Sequence, residues 1–505
     1  MIFHHTGSKD SYITNKIIGG ARRATGGNVG YASTIDLFKL YGESTLQGYK
    51  GSCTISSTTT DYAGTEAACV AAGGTYNTNL IEKSRGLIQF DLDHLSGSLE
   101  DITGGSEILT NSSLKIKLVM KDVQGGQVAP SNFTLKLFRV TKAWDEGIGD
   151  NIVGFADEQA VSWISSSAGN NWTAAGGDYH ETAPTPVSQT FTTGTEDLEM
   201  DVTSWVKAVW AETYTNLGWL LKFDSAAETN TSSYFVKRFA SRHTRNPFLR
   251  PRLECSWENY HLDDRLGFDA NTSNALSIRN YSKGIPTALG SAPTLSLLCG
   301  AWSKTGISSS AVSLAGKAQV GMYQASVNMN ITTSDYSGLT ASLIASGSLN
   351  IEERWYVGTV LVHSGSFTLR NPQSSATSTP RDYRISILDL KSKYTTKDTP
   401  MIRLFIRDRN LANEAVRIPI KLKSQIINKA YYQIKDTNSQ AILIPFSDKI
   451  VVPNESTRIS TDGDGMYFNF PVSVLPRGRT YTIDIAFYDR NKRRIYESNQ
   501  AFRVE

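Results

Sequence analysis

The chain has 505 residues, too many for one hydrophobic core, so it is expected to divide into two to four domains. Its 40% hydrophobic and 20% charged residues are those of a folded protein, and a formal net charge of +3 offers no global field to draw it to nucleic acid or an acidic membrane. No run of about 18 apolar residues occurs, which excludes a helical membrane span and predicts no membrane insertion.

The opening MIFHHTGSKD lacks the basic, apolar and cleavage regions of a signal peptide. The texture, rich in Ser, Thr, Asn, Gly and Tyr, is nonetheless that of a turn-rich extracellular β protein. Together these features fit a particle assembled in a cytoplasm and released by lysis, as a virion is. Next in the chain comes GSCTISSTTTDYAGTEAACVAAGGTY, where 15 residues separate Cys53 from Cys69. A disulfide here closes a small loop, worth about 3 kcal/mol on loop entropy; the alternative is two free thiols in a flexible loop. Cys255 and Cys299 lie in apolar strand-like runs and are expected as buried thiols. No Cys or His spacing suggests zinc.

Alternating apolar and polar residues predict strands at Leu114–Met120, Phe133–Val140 and Leu217–Phe223, and later at Met401–Arg407 and Tyr481–Tyr488. One helix is expected over Thr203–Glu212, capped by Thr203 or Ser204, with Trp205, Val209 and Ala208 as its apolar stripe. Three blocks follow. The first, residues 1–260, carries an inserted loop at 43–83 and ends in the strand Pro251–Trp257. The second, 261–375, begins at the charged stretch His261–Arg265, with strands at Ala275–Arg279, Thr294–Leu298, Lys317–Asn330 and Trp355–His363. The linker Asn371–Asp382, with two prolines and no apolar period, separates it from the third, 376–505. The third block shows about seven short strands, the number an immunoglobulin-like sandwich requires, and the second allows the same reading.

Five segments of the first block, in order, resemble one family. They are DSYITNKIIGGARRATGGNVGYASTIDLFKLYG (Asp10–Gly42), SRGLIQFDLDHL (Ser84–Leu95), LFRVTKAWDEG (Leu137–Gly147), DVTSWVKAVWAETYTNLGWLLKF (Asp201–Phe223) and VKRFASRHTRNPFLRPRLEC (Val236–Cys255). They are similar to the DNRLRE family, a β-sandwich module of the carbohydrate-binding jelly-roll type found in cell-surface and virion proteins. His243 stands where that family usually has an acidic residue. GTEAACVAAGGTY, NALSIRNYSKG and YRISILDLKSKYTTKDTPMIRLFIRDRN are similar to segments of bacteriophage structural proteins. The resemblance implies an all-β chain, an N-terminal jelly-roll β-sandwich followed by two immunoglobulin-like β-sandwich domains.

The basic residues Lys237, Arg238, Arg242, Arg245, Arg250 and Arg252 are expected to pair with Asp91, Asp93, Asp145 or Glu146 as guanidinium–carboxylate pairs do, in preference to forming a phosphate-binding strip. There is no GxSxG, HExxH, Walker A or Rossmann glycine pattern, and the histidines are scattered, so no catalytic residue, metal ligand or cofactor is expected. The segment TDGDG, Thr461–Gly465, reads as a hairpin turn; it lacks the later ligands of an EF-hand. The best candidate surface is the expansion Asn151–Thr195, where Trp163, Trp172, Tyr179 and His180 lie beside Asn171 and Asp178. Flat aromatics next to amides and carboxylates suit sugar stacking; they equally suit burial of a long loop or contact with another subunit. The leading expectation is a non-enzymatic structural component of a tailed-phage virion, in tail, neck or capsid decoration, that contacts other virion proteins and copies of itself, with a host-surface glycan as a further candidate partner. The alternatives are a glycan- or receptor-binding adhesin and a polysaccharide depolymerase.

Overall fold

The structure is a computed structural model. It describes residues 1–505 apart from 20–21, 45–50, 56–57, 62–65, 78–79, 126–129, 153–158, 372–381, 410–423, 428, 449–453 and 490–491, and apart from the side chains of 58–61 and 489. Strands with one apolar face bury it by pairing into sheets that close on one another. The chain is accordingly all-β, a series of β-sandwiches with short helices. It divides into two compact units: His4–Ser98 with Lys115–Cys255, and Met1–Phe3 with Leu99–Leu114 and Ser256–Glu505.

In the first unit a seven-stranded sheet runs in the order Val187–Phe191, Phe133–Arg139, Trp219–Phe223, Ile81–Gln89, Thr34–Tyr41 and Tyr234–Ala240, with Lys9–Thr14 also paired to Ile81–Gln89. A four-stranded sheet orders Ile2–Thr6, Arg252–Ser256, Lys115–Met120 and Leu198–Asp201. Leu135, Leu137, Phe191, Phe223, Phe239, Leu118 and Met120 are buried, and Phe133 stacks on Phe191 with centroids 5.0 Å apart. The inserted loop is itself folded: Ser52–Ile55 pairs with both Thr58–Asp61 and Thr75–Asn77, and a short helix covers Glu66–Ala71. A disulfide joins Cys53 to Cys69. A Cβ at Gly74 would lie 2.6 Å from the Cys53 sulfur, so only glycine fits beside the bridge.

In the second unit, the strands between Ser273 and Arg370 form an immunoglobulin-like sandwich. One sheet holds Ser273–Arg279, Lys317–Asn328 and Ser310–Leu314; the other holds Trp302–Ile307, Thr294–Cys299, Ser348–Val357 and Val360–Arg370. Leu276, Leu295, Tyr323, Trp355 and Phe367 fill the space between them. Among the described residues, the strands from Tyr383 to Val504 form a four-stranded and a five-stranded sheet, nine strands against the roughly seven expected; the hairpin at Asp462–Gly465 and the short strand Lys393–Tyr394, paired with Arg503–Val504, are among them. The TDGDG segment is that hairpin's turn.

Several expectations need correction. The family-like segment Ser84–Leu95 spans two elements: its strand ends at Gln89, and Leu92–Thr103 is a helix, its first turn capped by the Asp91 carboxylate, which accepts the His94 N–H at 2.9 Å. Trp355–His363 is the tip of a hairpin, turned at Gly358, whose φ of +59° favours glycine. The helix Thr203–Trp210 is capped neither by Thr203 nor by Ser204. The Thr203 hydroxyl is used on Ile116 and the Asp201 carboxylate accepts the Thr203 N–H; the buried residues are Trp205 and Val206. Cys255 is a buried free thiol, but Cys299, near a strand end, is only half-buried. The expected linker, apart from Asn371 and Asp382, lies outside the described residues.

Candidate functional site

Past Arg139 the chain leaves the sheet and folds back across its outer face, where Val140 bridges Tyr179. A tight hairpin, Ser165–Ser167 against Asn170–Asn171, sits at the far end. The Trp172 indole donates to the Ser162 carbonyl at 2.9 Å, and the Gly176 N–H to the Trp163 carbonyl at 2.7 Å. Asp178 accepts the N–H groups of Thr173 and Ala174 at 2.9 and 3.1 Å. With its backbone satisfied internally, the expansion presses its tryptophans inward. Trp163 and Trp172 are 8% and 5% exposed and pack with Ile13, Leu87, Phe138 and Leu220. This corrects their candidacy as a contact surface: a ring with both faces packed cannot stack on a sugar. Of the four candidates only the half-buried Tyr179 and the exposed His180 reach solvent.

Beneath Tyr179 lies a charge cluster that the sequence reading missed. Arg85 grips Glu228 with two hydrogen bonds of 3.0 and 2.8 Å and donates to the Gly176 carbonyl at 2.7 Å. Lys222 and Lys83 approach the same carboxylate at 3.1 and 3.7 Å. The guanidinium also lies 5.2 Å from the Trp163 ring and 5.5 Å from that of Tyr179. A Cβ at Gly176, where φ is +97°, would come within 2.8 Å of Arg85, so the cluster closes only over glycine. Burial raises the Glu228 carboxyl pKa, but the Arg85 hydrogen bonds and the three surrounding cations outweigh it and hold the group below its ordinary value. Lys222 is pushed down by burial first, with the Arg85 charge adding to the effect. Arg85–Glu228 is therefore the primary pair, and Lys222 is the cation least compensated.

The family-like motifs converge on a second cluster in the same unit. Glu146 of WDEG takes Arg242 of SRH on both oxygens, at 2.7 and 2.6 Å, and accepts the Asp10 N–H at 2.8 Å. Asp10 in turn accepts the Arg242 N–H at 2.6 Å. His243 lies 3.6 Å from Glu146 and packs against Tyr31, with ring centroids 4.6 Å apart and the planes tilted by 43°. Burial raises the Asp10 carboxyl pKa to about 7, with the Glu146 charge contributing. Asp10, Glu146 and His243 present ligand-capable atoms within 4.8 Å of one another. Glu146, however, spends both oxygens on Arg242, and a cation would have to displace that guanidinium. The group is a clasp tying together three segments distant in sequence. Of the four acids expected to pair with the basic run, only Glu146 does so with its side chain. Asp91 caps a helix, and Arg238 and Lys237 turn instead to Asp36 and Asp122, because those face them across the strands.

In the second unit the charged stretch His261–Arg265 is largely buried, with His261, Asp263 and Asp264 enclosed. The Asp263 N–H donates to the Thr461 hydroxyl, and the Thr461 N–H to the His261 carbonyl, seating it against the Ser460–Asp462 strand. His261 Nδ1 can only donate to the Thr461 carbonyl at 3.2 Å, so Nε2 accepts from Ser277 at 2.8 Å; burial lowers its pKa to about 4 and keeps it neutral. Arg265 bridges Asp263 and Glu353, and Glu353 also accepts the Trp355 indole at 3.0 Å. Above this network lies a cavity of about 300 Å³ whose walls include Arg279, His363, Asp462 and Asp464. The sequence signal was present in HLDDR, an acidic run beside a strand; its burial was not legible.

No family model matches the chain, and no curated protein matches it. Among solved structures it is similar to a titin A168–A169 substructure at 9% identity, covering 49% of this chain and 96% of that one with a TM-score of 0.16. The N-terminal Ig1-2 module of the Drosophila receptor protein tyrosine phosphatase DLAR gives 8%, 49%, 94% and 0.17 in the same terms. A DUF4785 family protein from Legionella pneumophila gives 8%, 77%, 81% and 0.15. At such TM-scores these likenesses carry no argument.

Proposed function

We propose that the chain is a non-enzymatic structural protein of a tailed-phage virion, built to hold modules in series and to contact other virion proteins and copies of itself. The observation that carries this reading is the clasp of Asp10, Glu146 and Arg242. The residues that give the first block its resemblance to a virion and cell-surface module are spent on one another, as residues kept for architecture are, and leave no nucleophile or positioned base between them. The folded insertion with its Cys53–Cys69 bridge supports the same reading, since a bridge of this kind forms and persists in an oxidising environment outside a cell. Long antiparallel strands such as Val360–Arg370, with Val360 and Leu361 exposed, supply edges and faces for subunit contact. The test is to raise an antibody fragment against the full-length protein and locate it on purified phage particles by electron microscopy. Regular labelling at one position on the particle is expected. Absence of the chain from particles would refute the proposal, as would turnover on host polysaccharide that a single carboxylate substitution abolishes.

A further inference from the structure

Among the described residues, the second unit has two long strands with a largely open outer side, and their side chains treat it differently. Lys492–Val504 meets only the short strand Lys393–Tyr394 on that side. It carries Lys492, Arg493, Arg494 and Glu497, charges of the kind that keep an edge from pairing with other chains. Val360–Arg370, at the edge of its four-stranded sheet, has no lysine, carboxylate or proline, and its one arginine, Arg370, is held by Asp269 at 2.9 Å. The Arg370 N–H donates to the Phe268 carbonyl at 3.0 Å, and the Arg370 carbonyl accepts the Ala270 N–H at 2.9 Å. These groups point away from the partner strand Ser348–Val357, and so, at every second residue, do those of Thr368, Ser366 and Ser364. Among the described residues no backbone group pairs with these three on that side. We propose that this edge pairs, antiparallel, with the same edge of a second copy of the chain, about a two-fold axis at Ser366.

The residues of the edge suit a copy of themselves. In this register Ser366 faces its own counterpart and Ser364 faces Thr368, and each pair exchanges both of its main-chain hydrogen bonds. The three side chains are small, uncharged and exposed, so the pairing sets no like charges against each other and strips no ion of water. The nearest ions on the neighbouring strand, Glu352 and Arg354, are paired with each other at 2.7 Å. Phe367 and Leu369, which alternate with the three, stay buried in each copy's own core. The stretch is bounded by the Phe268–Ala270 crossing at one end and by a bulge opposite Trp355 at the other, where the strand bends. The pairing rests on the self-contact in the virion reading and names the surface that makes it.

Sedimentation equilibrium of the full chain from about 1 to 200 μM tests the pairing; a contact of one strand pair belongs to the weak class, with a dissociation constant expected at roughly tens of micromolar. Ser366→Lys sets two ammonium groups opposite each other across the axis and should weaken association at least about tenfold, with an unchanged thermal transition because the side chain is exposed. Ser364→Glu with Thr368→Lys sets opposite charges in both flanking pairs and should associate at least as tightly as the native chain. A native chain that stays monomeric overturns the pairing, as does a Ser366→Lys chain that associates like the native one or a double variant as weak as Ser366→Lys. The two readings fail separately: a monomeric chain located on particles removes the pairing alone, and association through Ser366 by a chain absent from particles removes the virion reading alone.

Discussion

Replacing Glu228 by Gln removes the one carboxylate shared by Arg85, Lys222 and Lys83 while keeping its shape. Arg85 is about 8% exposed, Glu228 4% and Lys222 1%, so the cations left behind cannot be rescued by water. Removing one partner of a buried pair costs about 3–5 kcal/mol. For a unit of this size each kcal/mol moves the midpoint by about 2–4 °C, so the first unit should unfold roughly 6–20 °C earlier. Scanning calorimetry of the full chain at pH 7 reads this directly, and the transition of the second unit should stay in place. The sharper assay adds Lys222→Met to Glu228→Gln. Lys222 lies 5.3 Å from the Phe138 ring and 5.5 Å from Tyr179, an environment that accepts a thioether, so the double variant should recover about half the loss. A single-variant loss below about 1 kcal/mol, or a double variant less stable than the single, would refute the claim that the cations are held by this carboxylate alone.

The Asp10 carboxyl keeps its proton in the fold up to a pH of about 7 but releases it near 4 when unfolded; the proton therefore favours the fold, and stability is lost as pH rises from about 4 to about 7. The shift corresponds to at most about 4 kcal/mol, and urea titrations over this range should show Asp10→Asn flattening the slope relative to the native chain; identical slopes would count against it. Arg242→Lys keeps the charge of the clasp but loses its paired hydrogen bonds, and should destabilise the first unit by about 1–3 kcal/mol in chemical denaturation. Cys53→Ser should leave the main transition of the first unit within about 2 °C, because the bridge lies inside an insertion with its own small sheet, while protease cleavage between Gly51 and Asn77 accelerates.

Strands with clean alternation were legible to within a residue or two: Phe133–Arg139, Met401–Asp408 and Thr480–Asp489 each present one apolar face to a core. The helix Leu92–Thr103 was hidden because FDLDHL continues the alternation of the strand before it, although Asp91 is a capping residue in plain view. Ser337–Ser346 escaped because small polar residues blur its stripe, with only Leu339 and Leu343 buried. At the site, the spacing of Cys53 and Cys69 pointed to a bridge. The tryptophans suited a sugar or subunit surface and the burial of a long loop alike, and the fold uses them for the last; residue type alone says nothing of which way a loop folds. Arg85 and Glu228 are 143 residues apart, and although Arg85 lies in the family-like segment Ser84–Leu95, nothing there names its partner, so only the folded chain brings them together.

The second unit is threaded from three stretches of chain, and its first two, Met1–Phe3 and Leu99–Leu114, leave the ribosome well before Ser256–Glu505 exists. Ile108 and Leu114, fully buried in the finished protein, belong to the unit that this later stretch completes. Synthesis order and folding order are therefore at odds. A nascent chain interrupted near residue 255 carries the strands of its first unit together with two short stretches whose unit is still missing, the kind of unfinished product that chaperones and proteases recognise.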